Sequence, residues 1–447
     1  MLYERLKELE GKHQPIRVGI IGAGTFATQI ISQLCRITGM RLSVVADLKR
    51  ERAVRALTLG GISAHDVVSA ETPEKIDEAI DRGRPVVTTS AVALINSKSD
   101  VVVEATGVVE AAITHGYQAI HAKKHVVMVT VEADALVGYL LRHLAEENGV
   151  IYSLAYGDEP ALAYELWDWA KTLGFTVVAA GKGTRFLPEF RKANPDDVPR
   201  LYGFTGKEYN AQMFGSFLDG TKHAIEMAAL SNATGLIPDV RGMHFPAADL
   251  RNIPDTLCLI SKGGLLHTEG VVEVVSSVDR DGRSVERNIR GGLFAVISAP
   301  EGPAIDSLAS YGEIIGMIVG QRSKQAMIYR PQHFVGHEVP YGIAKMMLGR
   351  TAVCAPIGRI SEVVAVAKTV LKPGTFLDGE GGYTVYGLIE KAAIARQQRC
   401  LPIGLTQGAE LLREIPEDGI VTYDDVKLPE TFALHLRKLQ DSQFVVG

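Results

Sequence analysis

Residues 17–34 read "RVGIIGAGTFATQIISQL". A Val/Ile run ends at Gly22, Gly24 follows, Ala27 takes the third small position of a GxGxxG/A turn, and an apolar-periodic helix pattern begins at once. Small residues at these points let the backbone approach a pyrophosphate, which rests on the free N–H groups of a helix N-terminus. A lone glycine turn is weak evidence, because any tight strand-to-helix turn can use one. Here a second strand, "RLSVVADL", follows and ends in Asp47, at the spacing where an acidic residue meets the ribose of a dinucleotide. The complete strand, turn, helix and strand predicts a dinucleotide site, with Gly22, Gly24, Thr25, Phe26 and Asp47 as its contacts.

Working outward, "SDVVVEATG", "HVVMVTVEA" and "GVIYSLAYG" repeat the pattern of short apolar runs between helical stretches. Strands covered by helices on both faces read as continuous apolar runs. The alternation therefore predicts an α/β fold, a Rossmann-type doubly wound parallel sheet, over residues 1–156. Beyond it, helical stretches such as "PALAYELWDWAKTLG" mix with strands such as "FTVVAAGKGT" and "GLFAVISA", which predicts an α+β catalytic and dimerisation domain over 157–350. The remaining 351–447 is read as a small β-rich domain, from short β-like pieces punctuated by Lys-Pro-Gly and Asp-Gly turns.

Two or three domains are in keeping with 447 residues. Hydrophobic residues make up 46 % of the chain and charged residues 22 %, with a net charge of −5, so no nucleic-acid partner is expected. Cys35, Cys258, Cys354 and Cys400 are far apart and form neither a zinc motif nor a disulfide framework. No run approaches the roughly 18 uncharged apolar residues of a membrane span, and the charged N-terminus lacks the apolar centre of a signal peptide. A cytoplasmic protein without a membrane partner is expected.

Asp47 alone favours the ribose hydroxyl of NAD, but Lys49, Arg50 and Arg52 follow at once, and such bases hold a 2′-phosphate. The reading is NADPH, with a solvated helix start as the plain alternative for the three bases. Thr106 and Gly107 end another strand, where a loop at the carboxyl edge of the sheet reaches the nicotinamide side or merely caps the next helix.

Residues 216–230, "SFLDGTKHAIEMAAL", place Asp219, Lys222, His223 and Glu226 within one arc of a helix otherwise made of small and apolar residues. The helix is expected to be buried with its charges toward a cavity. Lys222 is the candidate electrophile or proton donor, tuned by burial and by Asp219 and Glu226, against the plainer reading of an ion-pair network. "AAGKGTRF" sets Lys182 between Gly181 and Gly183 with Arg185 close behind, a candidate phosphate cradle or a solvated strand end. "AYGDEPAL" brings Asp158 and Glu159 to a strand end, where they bind a hard metal through oxygen or cap the helix expected from Pro160.

From Ile16 to about Arg350 the order of these pieces resembles the homoserine dehydrogenase superfamily. In that family an Asp-to-Lys helix serves the substrate, and a Val-Thr-Ala-Asn-Lys run carries a Lys that faces the reaction centre; the corresponding stretch here is "VTVEADA", with Glu132 and Ala133 in the Asn and Lys positions and Glu132 a candidate cofactor contact. Over nearly the full length, "FLDGTKHAIEMAALSNATGL" included, the chain is similar to the 1-deoxy-D-xylulose 5-phosphate reductoisomerase-like family. The tail from about Gly358, with "LPIGLTQGAELLREI", resembles a SAF domain, a β-clip module. The resemblance implies an NADPH-dependent homodimer making 2-C-methyl-D-erythritol 4-phosphate for isoprenoid biosynthesis from a sugar-phosphate substrate, with a divalent ion such as Mg or Mn. A dehydrogenase of another sugar acid or hydroxy-acid, and a non-catalytic NAD(P)-binding sensor with a partner-binding tail, are the alternatives.

Overall fold

The Val/Ile runs form the strands expected of them. In a computed structural model, which describes residues 1–203, 209–299 and 302–444, seven parallel strands make one sheet: β1 (Ile16–Ile21), β2 (Met40–Ala46), β3 (Val68–Ser69), β4 (Val86–Thr88), β5 (Val101–Glu104), β6 (His125–Met128) and β7 (Tyr152–Leu154). Their order is β3-β4-β2-β1-β5-β6-β7. The chain thus winds one way from β1 through β2 and the other way through β5, which leaves a switch point beside the carboxyl end of β1. Val18, Ile20, Val45, Val101 and Val103 are fully buried, as strands covered on both faces must be. β3 and β4, two and three residues long, are too short to stand out by periodicity.

The chain divides into two units. Met1–Ala161, Phe334–Ala355 and Thr431–Gln440 make the first; Leu162–His333, Pro356–Glu430 and the residues from Asp441 onward make the second. Each unit is thus assembled from three separate stretches of the chain. In the first unit the helix Val339–Gly349 adds Val339, Ile343, Ala344 and Met346 to the apolar core that also holds Ile30, Ile31 and Leu34 of the helix Thr25–Leu34. The C-terminal helix joins the same unit, where the Phe432 N–H donates to Glu110 Oε1 at 2.8 Å and Gln440 Nε2 to the Leu136 carbonyl at 3.1 Å.

The second unit is built on a six-stranded mixed sheet, ordered β12-β13-β11-β8-β10-β9, from β8 (Thr176–Thr184), β9 (Ile237–Pro238), β10 (Val271–Ser276), β11 (Leu293–Ser298), β12 (Ile318–Val319) and β13 (Ala326–Arg330). The C-terminal part contributes two small antiparallel pairs, β14 (Ser361–Ala367) with β15 (Val385–Lys391), and β16 (Glu410–Leu411) with β17 (Val426–Lys427). The helix Thr221–Thr234 packs against β10 as well as β14 and β15. Every residue of it except Lys222 is buried. Apolar side chains at this depth contribute roughly 1.5–3 kcal/mol each, so Ile225, Met227 and Leu230 pin the helix between sheet and hairpin.

The charged stripe does not lie on one continuous helix. A first helix, Ala211–Leu218, ends with Asp219 at its C-cap, Gly220 takes φ 86°, and the second helix begins at Thr221. Only a residue without Cβ tolerates that backbone without strain, so the Asp-Gly pair makes a corner where helical periodicity alone reads straight through. Among the described residues, no helix is long and apolar enough to cross a membrane.

Candidate functional site

In the first unit the carboxyl ends of β1, β2 and β5 bring the predicted turn together. Gly22 sits at φ 101°, and a Cβ there would lie 2.5 Å from the Ala105 carbonyl oxygen, so β1 can pass the β5 loop only as glycine. Gly24 has no protein atom within 4 Å of where its Cβ would be. It is the N-cap of the helix Thr25–Leu34 and offers no side chain to the N–H groups of the first turn. Those donors are thereby available to an anion. Thr25 is exposed, whereas Phe26 packs against the apolar core. Asp47 is turned onto the glycine turn itself, its Oδ2 accepting from the Ala23 N–H at 2.9 Å and its Oδ1 from Lys49 N–H at 2.8 Å.

Arg50 is paired with Glu71 at 2.8 Å. Desolvation acts to raise the Glu71 carboxyl, but the Thr89 N–H, Arg50 and the hydroxyls of Thr89 and Thr88 outweigh it and hold the pKa at about 2. Of the three bases after Asp47, one is therefore already engaged by the protein.

Glu104, the fully buried last residue of β5, organises the neighbouring loops. It accepts from the Thr106 hydroxyl at 2.5 Å and from the Thr130 hydroxyl at 2.6 Å, and Thr130 Oγ1 in turn accepts from the Gly107 N–H at 3.1 Å. Thr106 does not cap the next helix, Val109–His121, whose N-cap is Val108; its hydroxyl is directed to Glu104. Glu132 stands half-buried in the first turn of the helix Val131–Glu147. Asp158 is half-buried just before the helix Glu159–Thr172, which starts one residue earlier than Pro160, and Glu159 is buried.

In the second unit the alternation of β8 places Ala180, Lys182 and Thr184 on one face. Lys182 Nζ donates to Glu226 Oε2 at 2.6 Å, and both are buried, at 2 % and 0 % exposure. Thr184 Oγ1 is 3.0 Å from His223 Nε2, and His223 Nδ1 is 3.7 Å from Glu226 Oε2. Glu226 thus finds its cation on the sheet. Asp219 pairs with Lys368 at 2.8 Å, and Lys368 Nζ also donates to the carbonyls of Ala193 and Gly382 at 2.6 and 2.7 Å. Burial pushes the Asp219 carboxyl up, and Lys368 and Thr221 pull it back without cancelling the effect. Lys222 is half-buried in the first turn.

The two glycines around Lys182 do not form an open cradle. A Cβ on Gly181 would lie 1.7 Å from Glu273 O, and one on Gly183 2.2 Å from Ile289 O; the Gly183 N–H is bonded to Gly292 O at 2.9 Å. They are glycine because neighbouring backbone, in β10 and in the segment before β11, passes close against them. That segment before β11 carries Arg290, which bridges to Gly183. Burial raises the Tyr202 phenol, and the positive charges of Arg290, Lys182 and Arg185 pull it back without cancelling the effect. Arg185 is half-buried, with its guanidinium 5.4 Å from the Phe190 ring centre and Nη1 donating to the Leu201 carbonyl at 3.3 Å. Glu104, Lys368 and Arg290 were not singled out from the sequence. The "IRGG" glycines after Arg290 were the one local signal of a close approach.

Residues 22–155 match the family model described as homoserine dehydrogenase, NAD binding domain. With the sheet and its glycine turn, this defines an NAD(P)-dependent oxidoreductase. More particularly, residues 157–339 match the family model described as oxidoreductase DRL, catalytic domain. No curated relative matches the sequence. Among solved structures, the chain is similar to scyllo-inositol dehydrogenase from Lactobacillus casei with bound NAD(H) and scyllo-inositol, at 14 % identity and a TM-score of 0.39 over 76 % of this chain and 92 % of that one. It is also similar to 1-deoxy-D-xylulose 5-phosphate reductoisomerase from Zymomonas mobilis in complex with NADPH, at 13 % identity and a TM-score of 0.37 over 50 % and 59 %.

Proposed function

We propose that the chain is an NADPH-dependent reductoisomerase that converts 1-deoxy-D-xylulose 5-phosphate into 2-C-methyl-D-erythritol 4-phosphate, acting as a homodimer. The observation that carries the reading is Lys182 near the end of β8, buried and hydrogen-bonded to the buried carboxylate of Glu226 at 2.6 Å, with Arg185 following on the same strand end and Arg290 bridging to Gly183. A phosphorylated substrate suits such a group, because charge-assisted hydrogen bonds from Arg and Lys are roughly twice as strong as neutral ones. In the reaction the C3–C4 bond of the ketose is exchanged for a C2–C4 bond, leaving an aldehyde at C3 that takes up hydride and a proton. NADPH, when bound, supplies the hydride.

The chain's own residues bind and move protons. Arg185 and Arg290 hold the phosphate, Lys182 and Glu226 pass a proton along their hydrogen bond, and Lys222 polarises a substrate oxygen. Gly22 and Gly24 leave room for the pyrophosphate on the first turn of the helix Thr25–Leu34, while Lys49 and Arg52 face a 2′-phosphate. Thr106, Gly107 and Glu132 border the nicotinamide end of this site. Asp158 and Glu159 offer the oxygen donors that Mg or Mn takes. The tail from Gly358 is read as a SAF-type module that braces the helix Thr221–Thr234.

One observation favours NAD as the cofactor in a second reading: the Asp47 carboxylate accepts from the Ala23 N–H of the glycine turn while Arg50 is engaged by Glu71, and a carboxylate after the second strand suits a ribose hydroxyl better than a 2′-phosphate. Calorimetric titration with both cofactors separates the two; tighter binding of NADPH supports the first and tighter binding of NADH the second. Turnover of 1-deoxy-D-xylulose 5-phosphate with NADPH, and the product's carbon skeleton by NMR, tests the reaction.

A further inference from the structure

The buried carboxylate of Glu273 lies on the sheet face away from Lys182. It is in register with Gly181, one residue before Lys182 on β8, and alternation puts neighbouring side chains of a strand on opposite faces. Glu273 accepts the His244 N–H at 3.1 Å and faces His244 Nδ1 at 2.8 Å. With Nδ1 so engaged, His244 turns Nε2 toward Asp239 Oδ2, 3.5 Å away, and that same oxygen is 2.9 Å from His267 Nδ1. Backbone N–H groups also meet this carboxylate: that of His267 lies 3.1 Å from both Oδ1 and Oδ2, and that of Thr268 3.2 Å from Oδ1.

Three features of this cluster go beyond a solvated ion pair. Two donors that each lie about 2.1 Å from a shared ion and subtend about 90–110° are about 3.0–3.4 Å apart; the two measured separations are close to that range. A carboxylate behind a histidine, fixing its ring and tautomer, is the arrangement that supports metal-bound imidazole. His244 is moreover flanked by two bulky residues in the left-handed region, Met243 at φ 63° and Phe245 at φ 49°, a backbone cost that persists only where surrounding contacts impose it. Asp239 is fully buried at its side chain while His267 is 64 % exposed, so the group opens to solvent on one side.

We infer that His244 Nε2, Asp239 Oδ2 and His267 Nδ1 form a binding site for a divalent first-row transition ion of zinc type, with its remaining coordination positions open to solvent. Two imidazoles and one carboxylate suit such an ion better than magnesium or calcium, which take all-oxygen sets. The carboxylates of Asp239 and Glu273 together balance its charge. The site is independent of the proposed reaction.

The test uses the full-length, tag-free protein stripped with a chelator. Zn²⁺ is titrated by calorimetry, and Co²⁺ is followed by its visible absorption, which reports imidazole ligation. With Mg²⁺ in excess to occupy oxygen-donor sites, one equivalent of Zn²⁺ is expected, with affinity lowered at least tenfold in His267→Ala and in His244→Ala and about 10–100-fold in Glu273→Gln. His267 is exposed, so its variant keeps the measurement meaningful if His244→Ala fails to fold. Absence of Zn²⁺ binding in the wild type, or equal affinity in wild type and His267→Ala, would overturn the assignment.

Discussion

Replacing Lys182 by Met keeps the aliphatic stem but strands Glu226, whose side chain is wholly buried beneath the sheet. Removing one partner of a buried ion pair costs about 3–5 kcal/mol, because the remaining charge has neither water nor a counter-ion. His223 Nδ1, 3.7 Å from Glu226 Oε2, is too distant to replace a 2.6 Å hydrogen bond. The lost contact between Lys182 Nζ and the Phe217 ring, 5.9 Å from its centre, adds about 0.5–1 kcal/mol at most. For a unit of about 150–250 residues, each kcal/mol moves Tm by about 2–4 °C, so a fall of roughly 6–20 °C is expected. The double variant Lys182→Met, Glu226→Gln removes both charges and should regain most of that loss, giving a coupling energy of several kcal/mol in a double-mutant cycle. Calorimetric and urea melts of the four proteins measure it. Additive losses, or a single variant within about 1 kcal/mol of wild type, would refute the claim that the two residues depend on each other.

Gly24→Val should leave Tm near that of the wild type and abolish binding of the nicotinamide cofactor in calorimetric titration, since its Cβ points into open space; Gly22→Val should lose both, having φ 101° and the Ala105 carbonyl against it. Arg185→Ala and Arg290→Ala should each raise KM for a phosphorylated substrate about tenfold, the worth of a charge-assisted contact, with kcat in steady-state assays much less affected. Asp134 is buried and accepts from the Tyr152 hydroxyl at 2.9 Å; burial, opposed by that bond, raises its carboxyl to about 7. A raised pKa makes its stabilising contribution full below about 4 and lost as pH rises to about 7, a change of roughly 3–5 kcal/mol. Melts from pH 4 to 8 should show this decline in the wild type and a flatter profile in Asp134→Asn.

The nucleotide turn was legible because its signals are local: a strand, two glycines and a helix lie within residues 17–34. Asp47 was expected from its place after the next strand, β2, but nothing in the sequence told that its carboxylate would bond back to the Ala23 N–H. The stripe was legible as buried, but its partners were not. Lys182 reaches Glu226 from another strand and Lys368 reaches Asp219 from the C-terminal part, and no periodicity links such distant positions. Gly181 and Gly183 illustrate a different limit, since a glycine required by closely passing backbone looks the same in sequence as one that opens a phosphate cradle. The helix Val339–Gly349 and the C-terminal helix show apolar faces, yet nothing in an apolar face states which core it will join.

The central claim is tested most directly by following NADPH consumption with 1-deoxy-D-xylulose 5-phosphate in the wild type and in the Lys182→Met, Glu226→Gln variant, on preparations whose Tm has been measured. The account predicts turnover by the wild type, with 2-C-methyl-D-erythritol 4-phosphate as product, and a loss of about 100-fold or more in kcat for a variant that remains folded. No turnover of this substrate by the wild type, or undiminished turnover by the folded variant, would contradict it.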